Sequence, residues 1–153
     1  SQGSSVLKLF GLSAASTGIN EKAAQAAGIA YDKVVLFPAS HATYYPGAQS
    51  MAMKVLYEKE SLRLLGAQIV GGEGVDKRID VLATAIRAKM TALELTELDL
   101  SYAPPYSSAK DPVNMAGFMI EDLESGKVQQ FHWNDIVRPC WMSVRKANID
   151  MGT

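Results

Sequence analysis

The residues that most often announce an activity are scarce in this sequence. Its 153 residues include one cysteine, Cys140, and two histidines, His41 and His132. A lone thiol closes no internal disulfide and builds no multi-thiolate metal site. The histidines stand far apart, with no HxxxH or Cys/His spacing, so no metal centre is expected. Neither sign of charge prevails. Fifteen basic residues face 16 acidic ones, a net charge of −1, which gives no electrostatic reason to bind nucleic acid or an anionic membrane. No apolar run approaches the roughly 20 residues of a membrane span, and no charged-then-apolar leader opens the chain. Gly71-Gly72-Glu73-Gly74 is glycine-rich between a strand and a helix, where phosphate binds in nucleotide folds. It has neither the GxGxxG spacing nor a Gly-Lys-Ser/Thr ending, and easing a tight turn is a sufficient explanation.

What is present is an ordinary globular composition, 48% hydrophobic, 20% charged and 8% aromatic. It excludes disorder, collagen-like repeats and coiled coil. A chain of this length is one domain's worth and buries roughly 70% of the surface it would expose unfolded, enough for one core. A soluble, cytoplasmic domain is the expectation. The chain starts at Ser1 without an initiator methionine, as a piece of something longer would.

Periodicity supplies the elements. Ser4 to Phe10 is short, apolar and partly alternating, and reads as a strand. Asn20 is placed to cap a short alanine-rich helix that stops at Gly28. Val34-Val35-Leu36-Phe37, closed by Pro38, reads as a strand covered on both faces. Met51, Met53, Val55 and Tyr57 alternate with Ala52, Lys54, Leu56 and Glu58. Lys59-Glu60-Ser61 then turns the chain and Leu62 to Val70 returns, which makes a hairpin. Val75, Ile79, Leu82, Ile86 and Met90 recur at three- and four-residue steps, the apolar stripe of a helix, with Arg87 and Lys89 placed in its last turn. A short helix is expected over Leu93 to Leu98. Neighbouring prolines keep Ser101 to Tyr106 irregular, and Asp111-Pro112 opens a helix that runs to Gly126. The sum is an α+β fold, a mostly antiparallel sheet of three to five strands with helices packed on one face. Residues 3–126 form this domain, and 127–153 read as a tail or the stub of a following one.

Candidate chemistry concentrates in two irregular, aromatic, proline-stiffened loops, Thr43-Tyr44-Tyr45-Pro46-Gly47 and Ser101-Tyr102-Ala103-Pro104-Pro105-Tyr106. Loops on a rigid scaffold are where function tends to lie, although such rings also cap a sheet edge or fill an interface. His41, beside the tyrosines, could orient a ligand, and a local hydrogen bond is the simpler account of it. Cys140 to Arg145 (Cys-Trp-Met-Ser-Val-Arg) imitates the six-residue anion loop of sulfurtransferases, but no activated thiol is expected there.

Three strings resemble a known family: Ile69 to Val81 (Ile-Val-Gly-Gly-Glu-Gly-Val-Asp-Lys-Arg-Ile-Asp-Val), Tyr102 to Gly117 (Tyr-Ala-Pro-Pro-Tyr-Ser-Ser-Ala-Lys-Asp-Pro-Val-Asn-Met-Ala-Gly) and His41 to Gly47 (His-Ala-Thr-Tyr-Tyr-Pro-Gly). Together they look like the C-terminal dimerisation domain of flavin-dependent pyridine nucleotide-disulfide reductases. The nearest branch is coenzyme A-disulfide reductase, with NADH oxidases and peroxidases as relatives. The likeness covers about Gly3 to Gly126. Phe131 to Ile136 (Phe-His-Trp-Asn-Asp-Ile) resembles the start of the rhodanese domain that some members carry next.

The resemblance implies that flavin, dinucleotide fold and redox cysteine lie upstream of this domain. The parent would be a homodimer using FAD and NAD(P)H to reduce coenzyme A disulfide. The fragment alone would bind no cofactor and be inactive. Its role would be to pair two subunits and complete each active site from the neighbouring chain. Tyr44 and Tyr102 match the two tyrosines that face the partner's redox cysteine. The backbone at Ala103 and Pro104 would approach the flavin's pyrimidine edge, and His41 would lie on the substrate side. Other readings are a self-associating scaffold without catalytic contribution, the same domain of an NADH oxidase or peroxidase, and a small-molecule binding domain.

Overall fold

Alternating apolar residues build the middle of the molecule. In the computed structural model, which describes residues 2–132, five strands pair into one antiparallel sheet. They are β1 (Ser5–Leu9), β2 (Leu12–Gly18), β3 (Tyr31–Leu36), β4 (Ala52–Glu58) and β5 (Leu64–Gly71), in the order β1-β2-β5-β4-β3. Three helices, α1 (Glu21–Ala26), α2 (Val75–Arg87) and α3 (Pro112–Glu124), and one 3-10 turn at Glu94–Glu97 complete the described chain. Among the described residues, no helix is long and apolar enough to cross a membrane.

The pleat sends every second side chain to one face. Met53, Val55 and Tyr57 of β4 stand in register with Leu36, Val34 and Asp32 of β3, and with Ile69, Ala67 and Leu64 of β5. Against this face α2 lays Val75, Ile79, Leu82 and Ala85, and α3 lays Val113, Ala116 and Ile120, all buried in one core. Each large apolar side chain taken out of water contributes about 1.5–3 kcal/mol, so this layer dominates stability. The expected antiparallel sheet with its long helices on one face is therefore present, and it has five strands. The short helix α1 meets the other face, where Glu21 pairs with Lys33 and, at 2.8 Å, with Lys54.

Several local expectations are met. Asn20 caps α1 by accepting a hydrogen bond from the Ala23 N–H at 2.9 Å. Asp111 and Asn114 form a reciprocal capping box across Pro112, which satisfies N–H groups that a helix start leaves free.

Others need correction. The strand after Asp32 is not covered on both faces: β3 is an edge strand, with Val34 and Leu36 buried and Val35 only half-buried. Its free edge is met by the segment after α3, because the Gln130 amide donates to Val35 O at 2.7 Å and accepts from Val35 N–H at 3.3 Å. A side chain thus stands in for a ladder neighbour on an otherwise open edge. Met90 and Lys89 lie beyond α2, where Lys89 turns the chain with φ of 61°, and the helix expected at Leu93 to Leu98 is a single 3-10 turn. The second strand, β2, carries no strand pattern in the sequence. Its sequence, Leu-Ser-Ala-Ala-Ser-Thr-Gly, lacks the β-branched apolar residues by which strands are read. The small side chains are there because the chain passes close to β5: Gly18 has φ of 70°, and the Ile19 N–H donates to Leu65 O at 3.0 Å. Residues 133–153 lie outside the described chain, and with them Cys140, Arg145 and most of the rhodanese-like string.

At Gly66 an added Cβ would overlap the carbonyl oxygen of Ile19, which is backbone and cannot swing away, whereas at Gly11 it would meet open space. Gly66→Ala is therefore expected to lower the chain's stability by about 1–3 kcal/mol. Gly11→Ala is expected to change it by less than about 0.5 kcal/mol. Urea denaturation of both variants with unchanged m-values would check the contrast.

Candidate functional site

The helix α2 carries a charge on its buried face. Arg78 stands three residues after Val75 and four before Leu82, inside the apolar stripe, and is 1% exposed. A buried guanidinium is tolerable only when its donors are used, and here they are. Arg78 Nη2 donates to Asp111 Oδ2 at 2.9 Å and Nε to Asp111 Oδ1 at 3.3 Å, a two-toothed ion pair. Nη2 also reaches Ser40 O at 3.0 Å and Tyr106 O at 3.2 Å, and Nη1 reaches Gly74 O at 3.2 Å. Gly74 has φ of 72°, and a Cβ there would run into the Arg78 guanidinium. The glycine-rich turn that resembles a phosphate loop is thus explained by the approach of this side chain.

Asp111 is equally enclosed, at 2% exposed. It accepts from the Ser107 hydroxyl at 2.6 Å and the Val113 N–H at 3.0 Å as well as from Arg78. Burial alone would push its carboxyl up. The hydrogen bonds from Ser107 and Val113 and the Arg78 guanidinium outweigh this and hold it below the ordinary carboxylate value. Asn114 extends the network by donating to Leu95 O at 2.9 Å and Leu98 O at 3.0 Å.

This cluster lies beneath both tyrosine loops. Ser40 opens the first and Tyr106 closes the second, and the loops also meet directly through Ala42 N–H to Ser107 O at 3.0 Å. Above it, Tyr44 and Tyr102 bring their hydroxyls within 2.9 Å of each other across 58 residues of sequence. Both rings are solvent-facing, Tyr44 at 75% exposed and Tyr102 at 48%. The hydrogen bond to Tyr102, with the Tyr44 hydroxyl donating, favours the protonated form and holds the Tyr44 phenol above its ordinary value. Two neutral phenols sharing one hydrogen bond leave one O–H free to donate outward. The pair can offer a proton or a hydrogen bond to an anion without placing a negative charge beside it.

The remaining candidates fall differently. Ala103 O accepts from the Tyr106 and Ser107 N–H groups at 2.9 and 3.1 Å, so it is committed to its own turn. Pro104 has no N–H and offers a carbonyl alone. His41 is buried: Nδ1 lies 3.1 Å from Ser40 Oγ and Nε2 3.3 Å from Pro46 O, with Tyr45 packed edge-on against the ring. A carbonyl only accepts, so Nε2 carries the proton and the ring staples the first loop. The hollow that His41 lines with Glu73, Lys77 and Pro105 holds about 200 Å³, below the roughly 300–1,000 Å³ of sites that enclose a small-molecule ligand. Among the described residues, no group of three or more His, Cys, Asp or Glu could hold a metal ion. Arg78 escaped the sequence reading, yet a signal was available, because a charge at a core position of a helical stripe requires a buried partner.

Residues 5–113 match the family model described as the dimerisation domain of pyridine nucleotide-disulphide oxidoreductases. The chain is 43% identical over 121 residues to a coenzyme A disulfide reductase of Staphylococcus haemolyticus, covering 79% of this chain and 27% of that protein. Its fold superposes on reduced Bacillus anthracis CoADR-RHD with a TM-score of 0.86 and 49% identity, over 90% of this chain and 25% of that one. It also superposes on a NAD-dependent persulfide reductase from A. fulgidus with a TM-score of 0.84 and 42% identity, over 87% and 25% of the two chains. The chain therefore spans about a quarter of the length of these relatives.

Removing one partner of the buried pair strands the other, so Arg78→Ala is expected to cost about 3–5 kcal/mol in chemical denaturation. The pH dependence has a definite sign. Asp111 titrates lower folded than unfolded, so its contribution is complete above about pH 4, the unfolded value, and disappears as pH falls through the lower folded value. Acid titration monitored by circular dichroism should show this limb in the wild-type chain. Asp111→Asn should lack it and be less stable at neutral pH.

Proposed function

The chain belongs to the dimerisation-domain family of pyridine nucleotide-disulphide oxidoreductases, and on that footing we propose that it pairs two subunits of an FAD-dependent NAD(P)H:disulfide reductase acting on coenzyme A disulfide. Each copy lends its Tyr44 and Tyr102 to the active site of the other. The observation that carries this reading is the 2.9 Å contact between two exposed phenols from separate loops. Water satisfies an exposed hydroxyl without help, so folding two loops to bring such groups together suits an external target better than it suits stability.

The chemistry asked of them is modest. A cysteine thiolate attacks one sulfur of the disulfide, a new S–S bond to coenzyme A forms, and the other coenzyme A leaves as a thiolate. With Tyr44 donating to the Tyr102 oxygen, the Tyr102 hydroxyl hydrogen is free to meet the departing sulfur, as hydrogen bond or as proton. Tyr102 is the donor and Tyr44 its positioning partner. The flavin supplies the electron transfer from the nicotinamide nucleotide to the cysteine when bound. For its ring, the turn that Ala103 shapes would offer the Pro104 carbonyl as an acceptor, which fits the N–H on the pyrimidine edge. His41, buried as the clasp of its loop, serves the substrate side by holding Tyr44's loop in shape. Residues 127–153 are a tail or the stub of a following rhodanese-like domain.

A second substrate reading has its own support. The 42% identity to a NAD-dependent persulfide reductase makes a persulfide an alternative sulfur electrophile for the same phenols. Rates with coenzyme A disulfide and with coenzyme A persulfide, compared as kcat/KM, would separate the two.

In the longer enzyme that carries this chain, Tyr102→Phe is expected to lower turnover with coenzyme A disulfide roughly 100-fold or more, with the thermal midpoint nearly unchanged. An unaltered rate ends the assignment. The 153 residues alone should sediment as a dimer and should not oxidise NADPH in the presence of coenzyme A disulfide and added FAD.

A further inference from the structure

We propose that Arg78 is the positioning residue of the tyrosine pair: one guanidinium nitrogen grips both loops and so sets the distance between the Tyr44 and Tyr102 hydroxyls. This rests on the reading of that pair as the working end of the domain.

The grip is nearly symmetric. Arg78 Nη2 holds Ser40 O, four residues before Tyr44, and Tyr106 O, four residues after Tyr102. The same nitrogen contacts Ser107 Oγ at 3.4 Å and Asp111 Oδ2 at 2.9 Å. The tyrosine hydroxyls themselves are in water, where a single neutral hydrogen bond contributes little net free energy. Their contact cannot hold the loops together, so the loop backbones must hold the contact. Other ties act within or between the loops: the His41 clasp from Ser40 to Pro46 shapes the first, and Ala42 N–H to Ser107 O joins the two. The guanidinium also ties both of them to the rigid parts of the fold. Nη1 fastens it to Gly74 O at the start of α2, and the Asp111 pair fastens it to the start of α3. Lys77, its neighbour, adds a weaker tie from α2 to Ser101 O at 3.3 Å.

A lysine would keep the charge beside Asp111 but cannot present a planar fork to several acceptors at once. Arg78→Lys should therefore retain much of the ion pair and lose the fixed loop geometry.

The test is the individual phenol titrations of Tyr44 and Tyr102 in the full chain, read by NMR of ring-carbon-labelled tyrosine. In the wild-type chain Tyr44 should titrate above an ordinary tyrosine. Tyr102→Phe should bring it down, which defines the value without the pair. Arg78→Lys should shift Tyr44 to that same value while Tyr102 is still present. If Arg78→Lys does not fold, Ser107→Ala removes one contact of Nη2 and should move Tyr44 part of the way. Tyr57→Phe, which loses a partly buried hydrogen bond to Glu124 at the end of α3, should lower the thermal midpoint and leave Tyr44 where it was. A folded Arg78→Lys chain, or Ser107→Ala in its place, with Tyr44 unmoved overturns the proposal. If Tyr102→Phe itself leaves Tyr44 unmoved, the phenols are not paired in solution, and the functional reading fails instead.

Discussion

Everything around the candidate site depends on a guanidinium and a carboxylate held out of water. Arg78 and Asp111 are each almost fully enclosed, and bare burial of either ion would cost several kcal/mol. The structure offsets this by using the ions' hydrogen-bonding capacity: both Asp111 oxygens accept, and all three Arg78 nitrogens donate. Among the described residues, no buried side-chain nitrogen or oxygen is left without a partner. Asp111 also caps α3, so one carboxylate starts a helix, neutralises a cation and closes a loop. That economy makes the pair fragile to single changes, because each substitution undoes several contacts together.

The sheet and the loops divide the labour. The core face of β3, β4 and β5 is apolar and buried under α2 and α3, and its dispersion and hydrophobic contacts hold the frame. The loops between β3 and β4, and ahead of α3, contain few buried apolar groups and would be mobile left to themselves. Polar bonds aimed from the frame keep them in place. This arrangement suits a site that must offer exposed donors in a fixed geometry: the rigidity is supplied from below, and the upper surface stays free for a partner.

The phenols explain why neutral donors are useful here. Their ordinary pKa lies near 10, and the mutual hydrogen bond keeps Tyr44 protonated still higher. In the proposed reaction, a thiolate leaving group would meet no competing anion. A histidine at the same place would change charge near neutrality, and His41, the one histidine close by in sequence, is instead locked into the backbone of its loop.

Periodicity and capping were legible in the residues themselves. The β4–β5 hairpin follows from alternation, α2 from its stripe, and the starts of α1 and α3 from Asn20 and from Asp111-Pro112, because these signals are local and each residue acts on its near neighbours. The motif strings also singled out both tyrosine loops. Tertiary structure decided the rest. It made a strand of the small-residue run Leu12–Gly18, because the close approach to β5 excludes larger side chains. It put β3 at an edge, and it buried Arg78, which no local pattern singled out, where its guanidinium meets both loops. It brought Tyr44 to within a hydrogen bond of Tyr102, since that distance depends on how residues 58 apart are packed against a common support, which no local pattern encodes.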